Sequence, residues 1–234
     1  MLTTYKTKLT EKKLLVNNVY IFYFDLVEPQ ELDFIAGQYL MLKVPKDTGF
    51  VSRLYSVASS PKARSKLELV VEIIPNGLGS TYLDNLSIGQ EVQFTGPGGV
   101  FIVNNLLRKK IFLVTGTGIA PVRSMLLDGM DNYELFWGLK TFEGIYLYDE
   151  IKVFNPKICL SREKTLDVVP EADRKYFDLG HVDTCFEKRF GSMGEDELNQ
   201  IEFYLCGGRS VVESLRVGLL AKNVAKENIH FEKF

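Results

Sequence analysis

A small antiparallel β-barrel followed by a parallel-sheet α/β domain is the fold that this 234-residue sequence predicts, and three observations predict it. The first hundred residues hold short apolar runs cut by Pro- and Gly-containing turns, the spacing of an antiparallel barrel or sandwich. From Ile111 onward strand-like and helix-like segments alternate, which argues for parallel strands covered by helices on both faces. The character changes near Asn104 and Asn105, so the two domains are expected over residues 1–104 and 105–234.

In the first half, Leu67, Leu69, Val71 and Ile73 alternate with Glu68 and Glu72, the period-two pattern of a half-buried strand. Comparable runs lie at Val19 to Leu26, Tyr39 to Val44 and Glu91 to Phe94. Pro29, Gly37, Pro45, Gly49, the stretch Pro75 to Gly79 and the stretch Gly96 to Gly99 separate them. In the second half a buried-strand run at Ile111 to Val114 meets a Gly-rich turn and then the helix-like Val122 to Met130. Strand-like segments recur at Leu135 to Trp137, Lys157 to Leu160 and Ile201 to Leu205, the last leading into the amphipathic Val211 to Ala221.

Composition narrows the function classes. With 46% hydrophobic residues and a net charge of only -2, the chain has the balance of a globular protein with a sizeable core. That charge gives no electrostatic reason to expect nucleic acid or an anionic membrane as partner. Lys6, Lys8, Glu11, Lys12 and Lys13 interrupt the N-terminal stretch, no leader or membrane span is read, and a cytoplasmic setting is expected. Cys159, Cys185 and Cys206 are widely spaced, so no disulfide framework, zinc site or clustered iron–sulfur ligand set is expected, and no other metal site is read. Any electron carrier beyond one bound by this chain is expected on another molecule.

Four segments bear residue types with chemistry. Arg53-Leu54-Tyr55-Ser56 combines a guanidinium able to pair with a pyrophosphate, a flat ring for stacking and a hydroxyl, a set that suits a flavin. An ordinary strand with a surface Arg and a core Tyr fits the same four residues. Gly77-Leu78-Gly79-Ser80-Thr81 leads into a short helix-like segment ending before Gly89; its glycines and free helix N–H groups favour a phosphate, while a loop with a Ser or Thr cap fits equally. Gly116-Thr117-Gly118-Ile119-Ala120-Pro121 has the strand-before, helix-after context of a nucleotide-binding turn. It departs from the ordinary dinucleotide fingerprint: Pro121 replaces the third glycine, and Trp137 to Lys140 stand where a ribose-reading acid belongs. Cys206-Gly207-Gly208 lies at the carboxyl end of an apolar strand, the edge where open α/β sheets place ligands, although a buried inert thiol is the commonest role of one Cys there.

The order of the motifs says more than any one of them. Arg53-x-Tyr55-Ser56, Gly77-x-x-Ser80, Gly96-Pro97-x-Gly99-x-Phe101, Gly116-x-Gly118-x-x-Pro121, Cys206-Gly207-Gly208 and Glu232-x-Phe234 follow one another along essentially the whole chain. In that order they resemble the ferredoxin–NADP reductase superfamily. The resemblance implies a flavin-binding β-barrel followed by a Rossmann-like nucleotide-binding domain, with FAD as cofactor and NADPH or NADH as co-substrate. It implies that Arg53 and the stretch Gly79, Ser80 and Thr81 hold the pyrophosphate, that Leu54 and Tyr55 lie at the isoalloxazine, and that Ser56 hydrogen-bonds near its reactive nitrogen. Thr117, Gly118 and Pro121 would cradle the nicotinamide nucleotide, Cys206 and Gly207 would lie near the nicotinamide, and Phe234 would match the aromatic residue near the flavin. Ser161 and Arg162 resemble the Ser-Arg pair that reads the 2′-phosphate of NADPH; a solvated turn with Arg162 paired to Glu163 or Asp167 fits too. His181 and His230 need no catalytic role. Three functions follow from the resemblance: a reductase of an external ferredoxin, flavodoxin or oxygenase component; a reductase of a small-molecule acceptor such as free flavin or ferric chelates; and an FAD-binding subunit of a larger complex. Such subunits often carry a C-terminal cysteine cluster, and its absence here counts against that version of the last.

Overall fold

The computed structural model describes residues 2–234 and divides into two compact units. One runs to Val103 and takes in Ala120–Gly129; the other comprises Asn104–Ile119 and Met130–Phe234. Among the described residues no helix is long and apolar enough to cross a membrane.

The first unit is built on six antiparallel strands: β1 (Thr3–Val16), β2 (Val19–Glu28), β3 (Tyr39–Lys46), β4 (Gly49–Ser56), β5 (Lys66–Glu72) and β6 (Glu91–Gly98), in the spatial order β4-β3-β6-β1-β2-β5. A short helix, α1 (Leu78–Asp84), follows β5. Alternation decides which side chains go inward. Phe22, Phe24, Leu67, Leu69, Val71 and Phe94 are buried in one cluster, and Phe24 meets Phe94 edge-on at 5.5 Å. The sheet curls towards closure, since the Ala58 N–H just beyond β4 donates to the carbonyl of Glu68 on β5 at 2.9 Å. Runs rich in Lys and Thr hid β1 from the periodicity, because only one of its faces is buried and β-bulges interrupt its alternation.

The helix α2 (Ile119–Asp128) carries the chain back to this unit, and buried polar contacts hold it there. Arg123, only 6% exposed, donates through Nη1 to the Ala58 carbonyl and to Oε2 of Glu68, both at 2.6 Å, and the Ser124 hydroxyl donates to the Ser59 carbonyl at 2.7 Å. A buried guanidinium demands such partners, because its desolvation is not recovered otherwise.

The second unit has six parallel strands, β7 (Lys109–Thr115), β8 (Tyr133–Leu139), β9 (Lys157–Leu160), β10 (Phe177–Leu179), β11 (Ile201–Gly207) and β12 (Ile229–Lys233), in the order β10-β9-β8-β7-β11-β12. Its helices are α3 (Tyr148–Ile151), α4 (Val182–Phe190), α5 (Glu195–Leu198) and α6 (Arg209–Ala221). One face of the sheet, with Ile111, Leu113, Phe136, Cys159, Phe203 and Leu205, packs on Val182, Phe186, Phe190, Val212, Leu215 and Leu219 of α4 and α6. On the other, Tyr204 lies against Phe112 and His230. His181 is exposed at the start of α4 and His230 is stacked 4.6 Å from Tyr204. The strand order runs outward from β7 in both directions, so the topology switches between β7 and β11.

The ion pair under α2 gives a direct test. Glu68→Ala leaves the buried Arg123 cation without its carboxylate, and equilibrium urea unfolding should lose about 3 kcal/mol with an unchanged m-value. A loss below about 1 kcal/mol would mean that the pair behaves as a solvated surface contact.

Candidate functional site

In the first unit the candidate residues lie on an edge strand and the helix that faces it. Arg53, Leu54, Tyr55 and Ser56 are the last four residues of β4, within the strand rather than after it, and β4 is the outer strand of the sheet. Arg53 and Leu54 are exposed, while Tyr55 and Ser56 are half-buried. Arg53 Nη1 donates to the Ser52 carbonyl at 2.9 Å. Burial pushes the Tyr55 hydroxyl up to about 12, against the opposite pull of the Arg53 cation, so it stays protonated as a donor.

The start of α1 packs on these two side chains. A Cβ on Gly79 would sit 2.5 Å from the Tyr55 hydroxyl and 2.8 Å from Arg53 Cγ, so only glycine lets the helix come this close. Ser80 is buried and its hydroxyl is engaged inside the loop, 3.1 Å from the Ile74 N–H and 3.2 Å from the Gly77 carbonyl. It braces the turn, and the donor it retains for a ligand is its main-chain N–H. The Thr81 N–H closes the first helical turn on Gly77 at 2.8 Å, while its side chain is exposed. A guanidinium, the open N–H groups of Leu78, Gly79 and Ser80, and a neutral phenol thus share one edge, and this cationic, donor-rich set fits a diphosphate carrying a flat ring.

In the second unit the candidates gather at the carboxyl ends of β7 and β11, the switch point. Gly116, Thr117 and Gly118 form a 3₁₀ turn directly after β7; Pro121, in the first turn of α2, is counted with the first unit. A Cβ on Gly118 would lie 2.3 Å from the Cys206 carbonyl oxygen, and one on Gly207 would lie 2.1 Å from Thr115 Oγ1, so the turn and the end of β11 are in backbone contact. Thr115 is a participant that the sequence did not single out; its only signal is its place as the last residue before the glycine turn.

Cys206 is buried, and desolvation, reinforced by the Glu232 carboxylate, holds its thiol well above the ordinary range, so it is a neutral thiol and not a nucleophile. Phe234 is 60% exposed and tied to the same place: its N–H donates to the Gly207 carbonyl at 3.3 Å and its carbonyl accepts from the Arg209 N–H at 3.2 Å. Ser161 and Arg162 follow β9 at the same edge of the sheet, with main-chain N–H groups bonded to Leu139 and Lys140 at 3.0 and 2.8 Å. The two carboxylates that could take Arg162 have other partners: Glu163 accepts from the Phe142 N–H at 3.0 Å, and Asp167 pairs with Arg174 at 3.5 Å. The exposed guanidinium of Arg162 is therefore directed to solvent beside Lys140 and Lys164, also exposed.

A cavity of about 730 Å³ lies at the opposite, amino end of the sheet, lined by Arg108, Lys109, Met193 and Asn199 among others. Its cations are already bound: Lys109 pairs with Glu134 at 2.7 Å, and Arg108 donates to Asn228 at 2.8 Å and to the Asn199 carbonyl. Among the described residues no group of His, Cys, Asp and Glu could hold a metal ion.

Comparison with known proteins finds two domain families in succession along the chain. Residues 6–102 match the family described as Oxidoreductase FAD-binding domain, and residues 112–216 match the Oxidoreductase NAD-binding domain. The chain is 29% identical over 214 residues to the 2-halobenzoate 1,2-dioxygenase electron transfer component of Burkholderia cepacia, covering 87% of this chain and 60% of that protein. It is 27% identical over 227 residues to ferredoxin–NADP reductase B of Sorangium cellulosum, covering 90% of this chain and 89% of the relative. A ferredoxin NADP⁺ reductase from Neisseria gonorrhoeae, solved with bound FAD and NADP, superposes with a TM-score of 0.82 at 19% identity, over 99% of this chain and 98% of that one, a likeness of fold. The chain thus spans 60% of the length of the dioxygenase component and of the toluate counterpart from Pseudomonas putida. With an FAD-binding and an NAD-binding domain in succession, the chain belongs to the ferredoxin–NADP reductase superfamily of oxidoreductases.

Proposed function

We propose that this chain is a reductase that takes reducing equivalents from NADPH, in preference to NADH, and delivers them to an external redox protein such as a ferredoxin, a flavodoxin or an oxygenase component. The observation that carries the reading is the pairing, on one chain, of a diphosphate-ready edge at β4 and α1 with a glycine turn at the switch point of a parallel sheet. The names of the relatives, electron transfer components and a ferredoxin–NADP reductase, support the choice of acceptor class. FAD, when bound, supplies the exchange between a two-electron hydride donor and acceptors that take electrons singly or in a pair.

On this reading the domains fall at residues 1–104 for FAD and 105–234 for the nucleotide. Arg53 neutralises the pyrophosphate together with the N–H groups opening α1 at Gly79 and Ser80 and the exposed Thr81 side chain. Leu54 and Tyr55 offer apolar surface and a ring to the isoalloxazine, and Ser56 a hydroxyl. Thr117, Gly118 and Pro121 receive the nucleotide, and Cys206 and Gly207 shape its nicotinamide end. Phe234, held beside Gly207 by two main-chain hydrogen bonds, offers an exposed ring that a nicotinamide can displace. The task of all these groups is positioning, which lowers a barrier without a residue that exchanges protons. A cytoplasmic setting belongs to the same proposal and rests on composition.

The acceptor is tested by measuring NADPH oxidation by purified protein with ferredoxins, flavodoxins, free flavin and ferricyanide side by side. A turnover number with a redox protein well above that with free flavin is expected; the reverse order would overturn the acceptor class. Arg53→Ala should release FAD on dilution, because a charge-assisted contact worth about 1.5–3 kcal/mol is lost, and equilibrium dialysis reads the change; full retention would remove Arg53 from the pyrophosphate. Arg162→Ala should lower kcat/KM for NADPH by about 2 kcal/mol, roughly thirtyfold, and leave NADH nearly unchanged. Equal losses for both nucleotides would show that Arg162 does not read the 2′-phosphate.

A further inference from the structure

The nucleotide turn is supported from beneath by a residue that no motif includes. Trp137, near the end of β8, is fully buried, and its indole Nε1–H donates to the Gly116 carbonyl at 3.0 Å. The same carbonyl accepts from the Ile119 N–H that closes the 3₁₀ turn, so both of its lone pairs point into the protein. Tyr146 meets the indole edge-on at 5.1 Å between ring centroids and fixes its plane.

That hydrogen bond has a consequence one atom further along the chain. In a trans peptide the carbonyl and the next N–H are held antiparallel in one plane. Drawing the Gly116 oxygen inward therefore turns the Thr117 N–H outward, towards the half-buried surface where Thr117 lies. Gly116 sits at φ +52°, in the left-handed region where glycine is permissive, so the orientation of this peptide plane rests on the bonds its carbonyl makes, one to the Ile119 N–H within the turn and one to Trp137 across the sheet. An outward carbonyl would present negative charge to an approaching phosphate; an outward N–H presents positive charge.

We infer that Trp137 is a positioning residue for nicotinamide nucleotide binding: its indole N–H locks the Gly116–Thr117 peptide with the Thr117 N–H facing the dinucleotide. The inference rests on the proposed function of the glycine turn and goes beyond it by naming the residue that sets the turn's polarity. It touches no ligand, and acts only through the peptide it holds.

Trp137 is the sole tryptophan of the chain, so indole emission reports on this position alone, and a sulfur analogue removes its donor almost without changing shape. Two forms of the FAD-loaded protein serve: Trp137→Phe, and the protein with 3-benzothienylalanine at position 137, in which sulfur replaces the N–H. Binding of NADP⁺ is measured by calorimetry for both and for wild type, with far-UV circular dichroism and FAD content as controls. In wild type the buried indole emission should shift on NADP⁺ addition, since its hydrogen bond is made to the ligand-binding peptide. Both substituted forms should bind NADP⁺ about tenfold more weakly, the cost of orienting on binding a peptide that wild type holds in advance, with KM for NADPH rising in step and kcat and FAD content retained. If the benzothienyl form, folded and FAD-loaded, binds NADP⁺ within twofold of wild type, the inference is overturned while the proposed function stands. If wild type itself binds neither NADP⁺ nor NAD⁺, the proposed function fails first and takes the inference with it.

Discussion

A contact too close for any side-chain atom governs the nucleotide half of this protein. Gly118 and the carbonyl of Cys206 approach until a Cβ would lie 2.3 Å from the oxygen, and that proximity is what makes the ends of β7 and β11 one surface. The parallel sheet creates the opportunity, because its strand order reverses direction between β7 and β11, the place where open sheets of this kind set their ligands. Two further residues are attached to this contact: Thr115 against Gly207, and Phe234 hydrogen-bonded to Gly207 and Arg209.

The barrel half answers the same need for close approach with different means. An edge strand exposes the row of side chains that an interior strand would bury, and β4 uses that freedom to leave Leu54 exposed on one face while Arg53 and Tyr55, on the other, lie against α1. Gly79 then brings the open N–H groups of α1 against Tyr55 and Arg53, and the Ser80 hydroxyl keeps the loop that carries them in place. Both units therefore combine a glycine at a helix start with a strand end.

Much of this was legible in the sequence where burial imposes a period. Leu67, Leu69 and Val71 announced β5, and the run Lys157 to Leu160 coincides with β9. The barrel and α/β classes, and the family, followed from such runs and from the motif order. Elements with one weakly buried face were not legible: β1 is rich in Lys and Thr, β10 has three residues, and β12 is a short edge strand with Phe231 exposed. At the candidate site, residue types signalled the glycines and Arg53, but a hydroxyl's direction leaves no trace in sequence. Ser80 reads as a ligand donor until its bonds to Ile74 and Gly77 are seen. Trp137 stood out only as an oddity where an acid was expected, because a hydrogen bond between neighbouring strand ends has no local pattern.

The placement of α2 also bears on how such a protein can be taken apart or recombined. The chain leaves the barrel unit after Val103, returns as Ala120–Gly129, and departs again, so the unit is discontinuous in sequence. A barrel exchanged as one contiguous piece ending at that first exit would arrive without Arg123 and Ser124, leaving the carbonyls of Ala58 and Ser59 and the carboxylate of Glu68 without the donors that cover them. Heritable shuffling of the two halves is thereby constrained: the smallest module that can move without a penalty carries its own helix, and with it the residues leading into that helix.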